Sequence, residues 1–284
     1  MSFSDDLQNE FNIQAGVYDE QTDEVDLFQA LAQAVCVAAI RNGYEANSLE
    51  VHQSYVNFEE IGGANYYRAV DRGEVVYCEL ADIMFVLYNG NEARICFMQN
   101  KYDRRKRSHT NFYADTRQLY LLKNRAPYWN GKGHEHGAPS EDILHIAEYS
   151  SITNYGVFVY DWGQNAYDMK YYNADSINPP TRDVRICKVH FDDGYNQYST
   201  INTCKDQLNY AFTLESFGDG LAEMKIGQRY ETIDDLLRMI NVREVIDYFQ
   251  ERNSSDVVYD AERSSILARC VVIVNFQQDE ERDS

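Results

Sequence analysis

From Val75 to Tyr88 the chain reads VVYCELADIMFVLY, with almost no polar alternation. A strand with one face in water alternates apolar and polar residues. An unbroken apolar run therefore predicts a strand buried on both faces, at the centre of a sheet. Asn89-Gly90-Asn91 follows as a hairpin signal, and Ala93–Tyr102 is the predicted return strand.

Around this hairpin the pattern is helical on both sides. Residues 22–42, TDEVDLFQALAQAVCVAAIRN, carry acids in the first turn, apolar residues at helical spacing (Phe28, Leu31, Val35) and Gly43 after the end. Asn111–Lys123 shows helical spacing of Phe112, Leu119 and Leu122 and predicts a second helix. Further strands are expected at Ile143–Ala147, Tyr155–Tyr160, Met169–Tyr172 and Val184–Phe191. Helices follow near 200–215 and 232–252, with a last strand at Ile266–Phe276. The order predicts a mixed α/β (α+β) fold, a central mixed sheet flanked by helices. Asn178-Pro179-Pro180 is the candidate boundary between a core, residues 1–177, and a smaller C-terminal helical and strand portion, residues 178–284.

Opposed residues of an antiparallel pair share a face, and side chains alternate along each strand. With Gly90-Asn91 as the loop, or all of 89–92, opposed residue numbers sum to 181 and Asp82 faces Gln99. With Asn89-Gly90 as the loop the sum is 179, and Gln99 lies one diagonal from Asp82. In each case Asp82, Gln99 and Lys101 share a face. A carboxylate and an amide oxygen are hard ligands suited to Mg²⁺, which takes one or two protein carboxylates and keeps several waters. A lysine beside such a cation is placed to orient a water or to offset charge in a transition state.

The formal net charge of −20 argues against a general nucleic-acid coat or a membrane-surface protein. Residues 101–125 nevertheless hold eight Lys/Arg and two Asp, a local +6 against −26 for the rest. The run Arg104, Arg105, Lys106, Arg107 is either a solvated loop or a grip on phosphates, with Arg117 and Gln118 on the following helix extending that surface.

Asp82, sixteen intervening residues and then Gln99-Asn100-Lys101 at a strand end resemble the PD-(D/E)XK (restriction-endonuclease-like) nuclease superfamily, in the Gln-x-Lys variant of Mrr-like and phage-defence nucleases. The helices before and after the hairpin stand in that superfamily's order, and the likeness covers roughly residues 20–165. It departs twice: Leu80-Ala81 stands where a proline is usual, and Gln99 occupies the (D/E) position. The resemblance implies a restriction-endonuclease-like core and Mg²⁺- or Mn²⁺-dependent hydrolysis of DNA phosphodiesters. Asp82 and Gln99 would be metal ligands, and Lys101 would position the attacking water. Members often add an acid from the first helix. Glu24, in register with Phe28, is one candidate, alternatively a first-turn acid that offsets the helix dipole. Glu79 is the other, although parity turns it away from Asp82 unless a bulge intervenes.

The expected role is a cytoplasmic DNA endonuclease, a restriction or anti-phage defence effector acting with a protein partner or as a homo-oligomer. The alternatives are a catalytically inactive nuclease-fold subunit and an acidic inhibitor that mimics DNA. MSFSDDLQNE has neither a basic n-region nor an apolar stretch, so no signal peptide is expected. No apolar run approaches the ~20 residues of a membrane span. The six scattered cysteines, none in a CxxC pair, read as buried free thiols of a reducing compartment. His134 and His136, in a Gly-rich loop, read as exposed rather than metal-binding, and the tyrosines at 155, 160, 167, 171 and 172 as packing.

Overall fold

The computed structural model describes residues 2–51, 55–58, 76–102, 111–124, 128–130, 152–177, 185–190, 199–200, 213–252, 254–260 and 268–277. Two helices come first, α1 (Phe3–Ala15) and α2 (Glu24–Arg41), followed by strands β1 (Glu45–Glu50), β2 (Tyr55–Phe58) and β3 (Val76–Glu79). The predicted hairpin is β4 (Ala81–Asn89) and β5 (Glu92–Lys101). After it come β6 (Asn111–Asp115), α3 (Thr116–Asn124), β7 (Tyr128–Asn130), β8 (Thr153–Asp161) and β9 (Ala166–Asn173). The chain continues through β10 (Ile186–His190), β11 (Ser199–Thr200), α4 (Leu214–Ala222), β12 (Gln228–Tyr230), α5 (Ile233–Ile240), α6 (Arg243–Glu251) and β13 (Ala268–Asn275).

The central sheet runs β1-β13-β4-β5-β8-β9, with β12 added to the first half of β5. It is mixed: β13 lies parallel to β4, β8 lies parallel to β5, and the other neighbours are antiparallel. Every residue of β4 from Ala81 to Leu87 is buried, as an unbroken apolar run requires. Met84, Val86, Ile95 and Phe97 face one core with Leu119–Leu122 of α3 and the apolar sides of α5 and α6. Ile83, Phe85, Leu87, Cys96 and Met98 face a second core with α1, α2 and α4. The fold is thus a mixed α/β layer structure in which the hairpin is the midplane. The late strand β13 lies between β1 and β4, so one sheet draws strands from both sides of residues 178–180.

The hairpin closes on Gly90-Asn91, with Asn89 paired to Glu92, which gives the register that sums to 181. The Asn89 side-chain oxygen accepts from the Asn91 and Glu92 amides and pins the turn. The 22–42 helix emerges as α2, started by a reciprocal cap between Asp23 and Asp26.

The expectation of one helix over 111–123 requires correction. Residues 111–115 are strand β6, paired antiparallel with β10, and only from Thr116 does the chain turn helical. Phe112 and Ala114 point inward while Tyr113 is exposed, a period-two pattern that five residues are too short to separate from a helical one. Likewise 75–88 is two strands, broken at Leu80: β3 belongs to a separate sheet with β2 and β7. The predicted helix at 232–252 is a pair, α5 and α6, separated by a left-handed Asn241. The expected strand at 143–147, most of the helix near 200–215, His134 and His136 lie outside the described residues.

Cys78, Cys96, Cys187 and Cys270 are buried free thiols, and Cys36 is half-buried. The five tyrosines of the β8–β9 region are all buried. Among the described residues no helix is long and apolar enough to cross a membrane.

Candidate active site

The hairpin register carries Asp82 one step past the Ile83–Met98 pair, opposite Gln99. Both side chains lie under the α3 layer and are nearly sealed, Asp82 at 1% and Gln99 at 2% exposure. Gln99 Nε2 donates to Asp82 Oδ2 at 2.6 Å, and the Asn100 backbone N–H donates to the same oxygen at 2.7 Å. Burial pushes the Asp82 carboxyl up to about 7. Lys101 and the Asn100 amide pull it down, while the negative charges of Glu24 and Glu79 push it further up.

Lys101 ends β5 and reaches the first residue of α2. Its Nζ donates to Glu24 Oε1 at 3.1 Å, and the Tyr102 backbone N–H donates to Glu24 Oε2, also at 3.1 Å. Glu24 therefore ties the end of β5 to the start of α2, with both of its oxygens engaged. The pair remains accessible, with the lysine 17% and the glutamate 32% exposed.

Glu79 stands one residue before the Leu80 break, on β3. Its carboxylate pairs with the Arg269 guanidinium on β13, with Nη2 to Oε2 at 3.0 Å and a second contact from Nε to Oε1. It contributes to the site through its backbone instead, because its carbonyl accepts from Gln118 Nε2 at 3.0 Å.

Gln118 is the residue that sequence reasoning misplaced. Read as part of a surface beside Arg117, it is 5% exposed and its Nε2 donates to Gln99 Oε1 at 2.5 Å. The available signal was its position four residues before Leu122, one helical turn from that buried side chain of α3. Arg117 points elsewhere: Nε and Nη2 donate to the Asp115 carboxylate at 3.0 and 2.5 Å, and Nη1 to the Tyr77 carbonyl. Arg104, Arg105, Lys106 and Arg107 lie outside the described residues.

The structure thus brings Asp82, Gln99, Lys101 and Glu24 to one end of the hairpin, between α2 and α3. No family model, no curated protein and no solved structure matches this chain.

The donor set has the chemistry for a hard divalent cation, a carboxylate and an amide beside a lysine. Both hydrogen bonds of Asp82 fall on Oδ2, which leaves Oδ1 for a ligand among the described residues. The Gln99 oxygen is turned away, toward Gln118. Among the described residues no three His, Cys, Asp or Glu side chains converge, so a cation here would rest on one carboxylate, one amide and water. On the opposite face of β5, Asn100 is fully buried, and neither its Oδ1 nor its Nδ2 has a hydrogen-bond partner among the described residues.

Proposed function

We propose that this chain is a divalent-metal-dependent DNA endonuclease with a restriction-endonuclease-like core. The observation that carries this reading is the Asp82–Gln99 hydrogen bond set beside the Lys101–Glu24 ion pair at the end of the hairpin, with the Lys101 charge felt at Asp82. The helix, hairpin, helix order around a mixed sheet supports the same superfamily.

In this reading Asp82 Oδ1 and the Gln99 amide oxygen, once turned from Gln118, would hold Mg²⁺ or Mn²⁺. When bound, the cation supplies Lewis-acid polarisation of the phosphate and a more acidic water. Lys101 swings from Glu24 to orient the attacking water and to offset charge on the phosphorus-bound oxygens. Glu24 holds the lysine until substrate arrives. The basic run at 104–107 grips the flanking phosphates, while the net −20 repels DNA elsewhere and makes productive binding depend on a protein partner or a second copy. A restriction or anti-phage role suits such restraint, and a reducing cytoplasm suits the free thiols.

The test is cleavage of supercoiled, linear and single-stranded DNA with Mg²⁺ or Mn²⁺, with and without the product of a neighbouring gene. Wild type is expected to cut only with metal. Lys101→Ala is expected to lose about two orders of magnitude in rate with little change in stability. Absence of metal-dependent cutting under every condition would exclude the enzyme. A second reading, a non-catalytic subunit of the same fold, is favoured by the near-complete burial of Asp82 and Gln99. It expects Lys101→Ala to alter stability and nothing else.

A further inference from the structure

The side-chain amides of Gln118 and Gln99 form a relay whose direction is set by backbone carbonyls, that of Glu79 at one end and, at longer range, that of Asn100 beside Gln99. A backbone carbonyl only accepts, so Gln118 must turn its NH₂ toward the Glu79 oxygen. The same Nε2 faces the Gln99 side chain, which must answer with its oxygen. Gln99 then has only its NH₂ left for Asp82, and the same Nε2 also donates to the Asn100 backbone carbonyl at 3.3 Å. All three side chains are buried, so water does not readily replace a partner that is lost.

A cation on Asp82 needs the opposite arrangement, with the Gln99 oxygen facing the carboxylate. We propose that Gln118 is a positioning residue that holds the Gln99 amide in a cation-rejecting orientation, and that cation uptake turns both amides together. The proposal rests on the nuclease reading above and adds how that site is held closed. Turning Gln99 alone sets its NH₂ against the NH₂ of Gln118 and its oxygen against the Asp82 carboxylate. The first conflict ends only when Gln118 also turns and gives up the Glu79 carbonyl. The second ends when a cation lies between the two oxygens. The changes are therefore coupled, and cation affinity carries the loss of the Gln118–Glu79 hydrogen bond and of the longer Gln99–Asn100 one. The far end of the relay is the last residue of β3, whose carboxylate is bound to Arg269 of β13, so the lock is anchored in strands of two different sheets.

The experiment is Mn²⁺ binding followed by electron paramagnetic resonance for wild type, Asp82→Asn, Gln118→Leu, Gln99→Glu and the double variant Gln99→Glu/Gln118→Leu. Gln118→Leu is expected to bind Mn²⁺ about tenfold more tightly, the worth of one net hydrogen bond. In the Gln99→Glu background the same leucine gives no tightening, because a carboxylate presents oxygen in either orientation. In wild-type protein the side-chain NH₂ resonances of Gln99 and Gln118 are expected to shift together as Mg²⁺ is added. That titration decides the matter if Gln118→Leu fails to fold. Unchanged or weaker affinity in a folded Gln118→Leu, or a Gln118 resonance unmoved at saturating Mg²⁺, overturns the lock. Absence of Asp82-dependent Mn²⁺ binding in wild type and Gln118→Leu alike overturns the nuclease reading itself.

Discussion

Asp82 and Glu24 are two acids within one cluster whose surroundings separate their roles. Glu24 stands at a helix start, in partial contact with water, and meets a lysine and a backbone amide. Asp82 is sealed, and burial outweighs the help it receives from Lys101 and from the Asn100 amide. The sign of the pH effect follows. A carboxyl raised from 3.8 to about 7 on folding adds stability below the unfolded value, and that stability is lost as pH rises through the folded value. Metal-free wild type should therefore weaken between about pH 4 and pH 7, by up to roughly 4 kcal/mol. Asp82→Asn should flatten that slope, as urea denaturation across the pH range would reveal. An unchanged slope would show that Asp82 ionises freely. That Asp82 and Gln99 share a face was legible in the sequence because side-chain parity survives any choice of turn, while their direct opposition needed the Gly90-Asn91 turn. The partner of Gln99 on α3 was not, since nothing local specifies which residues of a distant helix meet a strand end.

At the level of elements, β5 and β8 are drawn together behind the site by a glycine. A Cβ on Gly156 would stand 2.7 Å from Met98 Sδ, 2.8 Å from Asn100 Oδ1 and 2.9 Å from Met169 Sδ. Asn100 is the residue between the two candidate functional side chains Gln99 and Lys101. Gly156→Ala is expected to cost about 1–3 kcal/mol by overpacking. It should also displace Asn100, visible as a shift of its backbone amide resonance, whose N–H is bonded to Asp82. Loss of neither stability nor that resonance position would mean that the strands relax apart freely. Element boundaries were the least legible part of the fold. Strand β6 borrowed a helical spacing from the helix that follows it. Helix α1 escaped notice because only Phe3, Leu7 and Phe11 of its buried side are apolar, beside buried Ser4 and Glu10, although its Ser2–Asp5 capping box is a local start signal.

For the whole molecule, the decisive placement is that of β13. Its residues 270–275 pair with β1 on one side and β4 on the other, and the strand contributes to both cores. Deleting residues 268–284 should therefore abolish the cooperative thermal transition of the entire chain rather than trim one end. A retained transition would mean that the N-terminal part folds without it. Such a long-range pairing leaves no mark in the sequence beyond an apolar run, so the C-terminal strand was expected but its neighbours were not. The charge distribution acts at the same scale: in the proposed nuclease reading, the net −20 with a basic stretch beginning at Lys101 would direct a polyanion to that stretch. The central claim, a metal-dependent cutting site built on Asp82, Gln99 and Lys101, is tested most directly by plasmid cleavage at increasing Mn²⁺ with wild type and Lys101→Ala side by side. Metal-dependent nicking by wild type that falls about a hundredfold in the variant is the expected result. Equal cleavage by the two proteins, or none by wild type at any Mn²⁺ concentration, would contradict it.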